Sequence, residues 1–186
     1  MARIRSPRSP APLDHKGLEE IALRYVGRFA TTRAKLTAYL WRKVRERGWN
    51  GPEEPHPEGL VQRFCELGYL DDAAYALSKS RALTSRGYGR HRLQQKLRLA
   101  GVSEENGAAA REEAKSEALD AALRYAERRK LGPWAPGKSD PRLRQRAIAA
   151  MVRAGHPLGL SIAIASLEPG AEINREQLSR ENGGYP

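Results

Sequence analysis

A single cysteine, Cys65, stands in 186 residues. No disulfide can close within the chain, which fits a reducing compartment. Cys65 adjoins Phe64 on an apolar helix pattern and reads as a packed thiol rather than a nucleophile. Aromatic residues make up only 6% of the sequence, which favours many modest helix contacts over one thick core. No apolar run approaches the ~18 residues of a membrane span, so no membrane partner is expected. The four histidines, His15, His56, His91 and His156, show no metal-ligand spacing. Neither a metal nor another cofactor is therefore expected. No stretch alternates with period two over a useful length, which argues against a sheet. The glycines of "RGYGRHRLQQKLRLAGV", residues 86–102, fit neither G-x-x-x-x-G-K-[ST] nor a strand-borne G-x-G-x-x-G. They read as a tight turn between two helices.

Positive charge is abundant. Lys and Arg number 33 against 22 Asp and Glu, a net charge of +11. Residues 1–50 hold 12 basic and 4 acidic residues, whereas residues 103–140 hold 7 and 8. A basic N-terminal end favours a polyanion or an acidic protein surface as partner. The opening "MARIRSPRSPAPLDHKG" lacks the apolar stretch of a signal peptide, and residues 1–16 read as a flexible basic arm. Residues 170–186 read as a polar, frayed tail.

The chain repeats itself. "ALRY" occurs at residues 22–25 and 122–125, and Tyr75 of "DAAYA" lies midway. Each tyrosine precedes a basic amphipathic segment ending in glycine: Gly48, Gly101 and Gly155. Four residues before these lie Val44, Leu97 and Met151; eight before lie Leu40, Leu93 and Ala147. Residues four apart share a helix face, so each segment carries an apolar stripe and a glycine stop. A third helical segment follows each stop. Ser103 is placed to cap one of them, and Asp140–Pro141 to start the middle helix of the last repeat. The expected fold is all-α: an elongated tandem array of three three-helix repeats, about nine helices, with no sheet. The repeats span residues 18–70, 71–115 and 116–169.

A basic face on one amphipathic helix is ordinary solvated surface. Its recurrence on the second helix of each repeat points to a contact surface. In the first repeat it comprises Lys35, Arg42, Lys43, Arg45 and Arg47 around Leu36, Leu40 and Val44. In the second it comprises Arg90, Arg92, Lys96 and Arg98, with Arg81 and Arg86 upstream. The third repeat is weaker, with Arg142, Arg144, Arg146 and Arg153. Tyr25, Tyr75 and Tyr125 hold repeat-equivalent places and read as packing residues. In "GYLDD", Asp71 or Asp72 reads as a helix cap, not a catalytic pair.

At "ELGYLDDAAYALSKSRALTSRGYGRHRLQQKLRLAGV", residues 66–102, the chain resembles the RecX family, bacterial regulatory proteins that act on the RecA recombinase. The matching positions are Gly68, Tyr69, Leu70, Asp71 and Asp72, then Gly89, Leu93, Lys96, Leu97, Gly101 and Val102. The resemblance extends over about residues 18–168. It departs at Trp41, Trp49 and the loop "GWNGPEEPHP", and at the insertion "GPWAPGKSD". It implies a modulator rather than an enzyme. Such a protein lies in the groove of the RecA filament on single-stranded DNA and inhibits strand exchange and ATP hydrolysis. It would be a monomer of the bacterial cytoplasm with weak affinity for single- and double-stranded DNA. Two other readings are a helix-turn-helix-like DNA-binding regulator, using Gln94 and Gln95, and a helical-repeat scaffold that binds protein alone. Phosphate binding would weaken steeply with salt, which separates these readings.

Overall fold

The computed structural model describes residues 11–138 and 140–183. Ten α-helices run in order: α1 His15–Val26, α2 Arg33–Arg47, α3 Pro57–Glu66, α4 Asp72–Thr84, α5 Arg90–Leu99, α6 Glu104–Ser116, α7 Ala118–Arg129, α8 Pro141–Arg153, α9 Leu158–Ser166 and α10 Arg175–Gly183. A 3-10 turn, Gly132–Trp134, lies between α7 and α8. Among the described residues the only β pairing is an isolated bridge between Leu13 and Trp49. The first nine helices follow the expected three triplets. The chain divides into two compact units, one ending at Tyr75 and one beginning at Ala76.

The first unit is built on the i, i+4 stripe of α2. Leu36 and Leu40 are fully buried and Val44 nearly so, against Leu18 and Ala22 of α1 and Val61 and Phe64 of α3. Each such aliphatic side chain contributes about 1.5–3 kcal/mol by leaving water. Caps set the helix starts. The Asp14 carboxylate accepts from Gly17 N at 2.7 Å, and the Asp71 carboxylate accepts from Ala74 N at 2.8 Å. Asp72 is buried and accepts from Arg33 N at 3.0 Å, so the second acid of "LDD" caps a different helix, α2.

The basic-arm expectation needs correcting. Residues 1–10 lie outside the described residues, but residues 11–16 are fixed. Leu13 is 1% exposed; its N–H donates to the Gly48 carbonyl at 2.9 Å, and its carbonyl accepts from Asn50 N at 2.8 Å. Arg47 grips the Ala11 carbonyl through Nε (2.9 Å) and Nη2 (2.6 Å). The loop after α2 is held by its tryptophans: Trp49 Nε1 donates to the Glu53 carbonyl and Trp41 Nε1 to the Glu58 carboxylate.

In the second unit Leu93 and Leu97 of α5 are buried, as are Ala110 and Ala114 of α6. The other core joins Leu119, Leu123 and Tyr125 of α7, Met151 of α8, and Leu160 and Ile164 of α9. Ser103 accepts from Asn106 N, and Asp140 from Leu143 N, as their positions predict. The tail differs from expectation. Residues 175–183 form α10, Leu178 is 4% exposed in the same core, and Arg175 pairs with Asp120 of α7. Its sequence is polar because a single apolar residue, Leu178, anchors the helix.

The three glycine stops have positive φ: 79° at Gly48, 69° at Gly101 and 96° at Gly155. Gly155 and Gly89 do more than turn the chain. Gly89 N donates to the Ala154 carbonyl (3.0 Å) and His91 N to the Gly155 carbonyl (3.1 Å). The start of α5 thereby lies against the end of α8. A Cβ on Gly89 would overlap the Gly155 carbonyl, and a Cβ on Gly155 would overlap Arg92 N. Gly87 does supply the expected turn, with φ of 73°. Gly89 has φ of −82°, open to any residue, so proximity rather than turning requires glycine there.

His156 closes the same junction. It is 2% exposed, and its Nε2–H donates to the Gly87 carbonyl at 3.0 Å. Nδ1 is buried with no partner among the described residues, which suits a lone pair and would strand a second proton. Burial, aided by the neighbouring His91, lowers its pKa to about 4 despite that hydrogen bond.

Two predictions follow from this junction. Gly89→Ala should cost about 2–4 kcal/mol, because backbone must move on both sides. Gly137→Ala, where a Cβ meets nothing within 4 Å, should stay within about 0.5 kcal/mol. Chemical denaturation of both variants checks this. The second concerns acid. The unfolded chain binds a proton at His156 below pH ~6.5, whereas the folded chain does not until about 4. Stability from this group is complete above pH 6.5 and is lost as pH falls towards 4, by about 3 kcal/mol. Denaturation midpoints from pH 7 to 4 should therefore fall less steeply in His156→Gln than in the parent.

Candidate functional site

The expected basic residues fall on three helices, α2, α4 and α5, and on the turn between α4 and α5. On α2, Leu36, Leu40 and Val44 point inward, which turns the cations outward. Several are already engaged. Lys35 Nζ donates to the Tyr75 hydroxyl at 3.0 Å and lies 5.2 Å from its ring centroid. Lys43 Nζ sits 2.6 Å from Glu46 Oε2, and Arg42 Nε 3.6 Å from Glu46 Oε1. The Lys43 hydrogen bond holds the Glu46 carboxyl below its usual pKa, so Glu46 stays charged. Arg47 is spent on the Ala11 carbonyl. Of the five, Arg45 alone has neither an ion pair nor a hydrogen bond among the described residues and is exposed.

The second unit is different. Arg81 pairs with Glu113 at 2.9 Å. Arg86, Arg90, Arg92, Lys96 and Arg98 form no ion pair among the described residues. Arg86, Lys96 and Arg98 are exposed, and Arg90 and Arg92 half-buried. Leu93 and Leu97 face the core between them, which splits α5 into two rows. Arg90 opens onto a groove shared with His91, Gln94, Arg111, Lys115 and one acid, Glu112. Arg92 turns the other way, its guanidinium 5.8 Å from the Tyr88 ring centroid.

The three repeat-equivalent tyrosines diverge. Tyr125 is buried, and its hydroxyl donates to the Ala150 carbonyl at 3.2 Å. Tyr25 is half-buried and stacks on Tyr39 with ring centroids 4.2 Å apart. Tyr75 is half-buried beside Lys35. Cys65 is partly buried, and burial raises its thiol pKa, which suits the packed role. Among the described residues no group of three His, Cys, Asp or Glu is placed to hold a metal ion. No described helix is long and apolar enough to cross a membrane.

Two features escape the basic-helix reading. Phe29, 51% exposed, extends the Tyr25–Tyr39 stack and carries the Arg28 guanidinium 5.8 Å above its ring. Arg128 and Arg129, at the end of α7, join Arg153 of α8 beside Tyr88 and Tyr125. A signal for both exists. "ALRY" is followed three residues later by Arg28 in one copy and by Arg128 in the other. The repeat is longer than its tetrapeptide.

Comparison with known proteins agrees with the fold. The family model described as RecX, second three-helix domain, matches residues 71–110. The regulatory protein RecX of Myxococcus xanthus is 34% identical over 174 residues, which cover 89% of this chain and 92% of that protein. Its counterpart from Thermobifida fusca is 32% identical over 167 residues, 88% of this chain and 85% of that protein. The Vibrio cholerae protein of the same name reaches 49% over 39 residues, 21% of this chain and 26% of that protein.

The division of labour on α2 is testable. Arg47→Ala should lower stability by about 1 kcal/mol, because the Ala11 carbonyl loses a two-pronged charged donor. Arg45→Ala should change stability by less than about 0.5 kcal/mol. Equal melting temperatures for the two variants would remove the structural role from Arg47.

Proposed function

Since the chain belongs to the RecX family, we propose that it binds RecA filaments on single-stranded DNA and lowers their ATPase and strand-exchange activity, with the basic faces of α2 and α5 as contact surface. The relatives are regulatory proteins by name, and this chain spans nearly their whole length. The observation that carries the reading is the unpaired charge on both flanks of the α5 apolar stripe. Arg90, Lys96 and Arg98 carry three positive charges without a carboxylate partner among the described residues. Surface cations on amphipathic helices are commonly met by acids three or four residues away. Here α5 contains no acid at all. Such a face stays ready for an acidic protein surface or for phosphate, and electrostatic attraction of this kind speeds encounter. On α2 only Arg45 is equally free, so α2 contributes less.

The test is RecA-dependent ATP hydrolysis on single-stranded DNA, with a variant carrying Arg90→Glu, Lys96→Glu and Arg98→Glu. Inhibition seen with the parent should be lost, while far-ultraviolet circular dichroism keeps its helical signal. Full inhibition by that folded variant would move the contact surface off α5. No inhibition by the parent at saturating amounts would reject the filament reading itself.

A further inference from the structure

The second unit holds a cleft of about 560 Å³ that Arg90, Lys96 and Arg98 do not line. It lies among the α4–α5 turn, the first turn of α5 and the C-terminal ends of α7 and α8. Five arginines converge on it: Arg86, Arg92, Arg128, Arg129 and Arg153. No acid lines it, and none of the five forms an ion pair among the described residues. Cations near helix C-termini are favoured by the helix dipole. That accounts for Arg128, Arg129 and Arg153 separately. It does not account for Arg86 and Arg92 meeting them from the α4–α5 turn and the start of α5.

Arginine side chains stay charged in proteins, so this crowding of positive charge persists. Only a nearby anion can neutralise them. They are also held in place. Arg92 and Arg128 lie 5.8 and 6.0 Å from the Tyr88 ring centroid. Arg128 and Arg129 lie 5.6 and 5.9 Å from that of Tyr125. The Tyr125 ring is itself anchored by its hydrogen bond to Ala150. Guanidiniums resting on rings keep their N–H edges free, and the planar fork fits two phosphate oxygens at once.

Among the described residues the lining contains no Asn, Gln, Ser, Thr, Asp or Glu, and the Tyr125 hydroxyl is occupied. An arginine fork can also meet guanine O6 and N7, but only the Tyr88 hydroxyl stands beside the five guanidiniums to serve the other bases. We propose that this cleft is a site for a chain of phosphates, binding two or more closely spaced phosphate groups. Phosphates carry their charges along the spine of the chain, which matches five guanidiniums around one small space. Carboxylates of an acidic peptide project from alternating sides of an extended backbone and match it less well. The phosphates can belong to a nucleic-acid strand or to a free oligophosphate. Arg86 and Arg92 also belong to the basic surface expected from the sequence, but the ATPase variant changes neither and this test contains no RecA, so either reading can fail alone.

The experiment measures binding of three probes to the full chain: inorganic tripolyphosphate by calorimetry, and a fluorescein-labelled dT oligomer and poly-glutamate by anisotropy. Two triple variants remove equal charge. One carries Arg86→Gln, Arg128→Gln and Arg153→Gln, all exposed cleft residues. The other carries Arg142→Gln, Arg146→Gln and Arg180→Gln, exposed and outside the cleft. The cleft triple should weaken at least one phosphate probe about tenfold or more and flatten its salt dependence, with the control triple within about twofold. Tripolyphosphate binding identifies free oligophosphate as a source; dT binding without it identifies the strand backbone. The single variant Arg153→Gln gives the same reading should the triple lose its helical signal. Equal weakening by both triples, no binding of either phosphate probe, or poly-glutamate bound as tightly as the phosphates would each overturn the site.

Discussion

Two helix ends satisfy each other in the second unit, and the placement of its charged side chains depends on that contact. The first N–H groups of a helix and its last carbonyls lack partners within the helix. At the start of α5 no side chain caps them. Instead Gly89 N and His91 N donate to the carbonyls of Ala154 and Gly155, just past the last turn of α8. The positive end of one helix dipole therefore meets the negative end of another. The exchange is possible only because both glycines lack a Cβ. His156 completes it by bonding back to the Gly87 carbonyl. Arg92 lies within the first turn of α5 and Arg153 at the end of α8, so the same contact that joins the helices gathers their guanidiniums.

The first unit follows another logic. Its N-terminal approach is locked as a short backbone ladder, Leu13 against Gly48 and Asn50, with Leu13 plugged into the core. Arg47 secures Ala11 just upstream. Its cations are largely absorbed: two by Glu46, one by a carbonyl and one by a tyrosine hydroxyl. What it exposes instead is aromatic. Phe29, Tyr25 and Tyr39 form a continuous series, Phe29 tilted against Tyr25 and Tyr25 stacked on Tyr39, edged by Arg28, Arg42 and Lys43.

Most of the fold is legible in the sequence because it obeys one period. The stripes Leu40–Val44, Leu93–Leu97 and Ala147–Met151 are all buried, and the glycine stops all turn with positive φ. Ser103 and Asp140 cap where their chemistry predicts. What the period does not carry is lost. Helix α10 has one core residue and so no stripe. Leu13 sits among prolines and arginines and enters the core through backbone pairing, which has no side-chain signature. Gly89 looks like a turn glycine, because nothing local announces that another helix end will come within contact distance. The basic helices were identifiable, yet a basic residue on a helix face reads the same whether or not an acid or carbonyl has already claimed it.

Net charge illustrates that last point. Residues 1–50 carry the large positive excess, and residues 103–140 are net acidic. A count alone places the anion-binding surface at the N-terminal end. Geometry reverses the weighting among the described residues. The excess on α2 is mostly engaged within its own unit, while the acidic segment contributes Arg128 and Arg129 to a cleft that no carboxylate enters. Its acids are used elsewhere, Glu113 on Arg81, Glu104 on Arg111 and Glu117 on Arg124. The cations open to an anion are those left over after the fold has paired its own. Among the described residues they include Arg45 on α2 and Arg142 and Arg146 on α8, but they gather on α5 and at the ends of α7 and α8, where the sequence total is near balance.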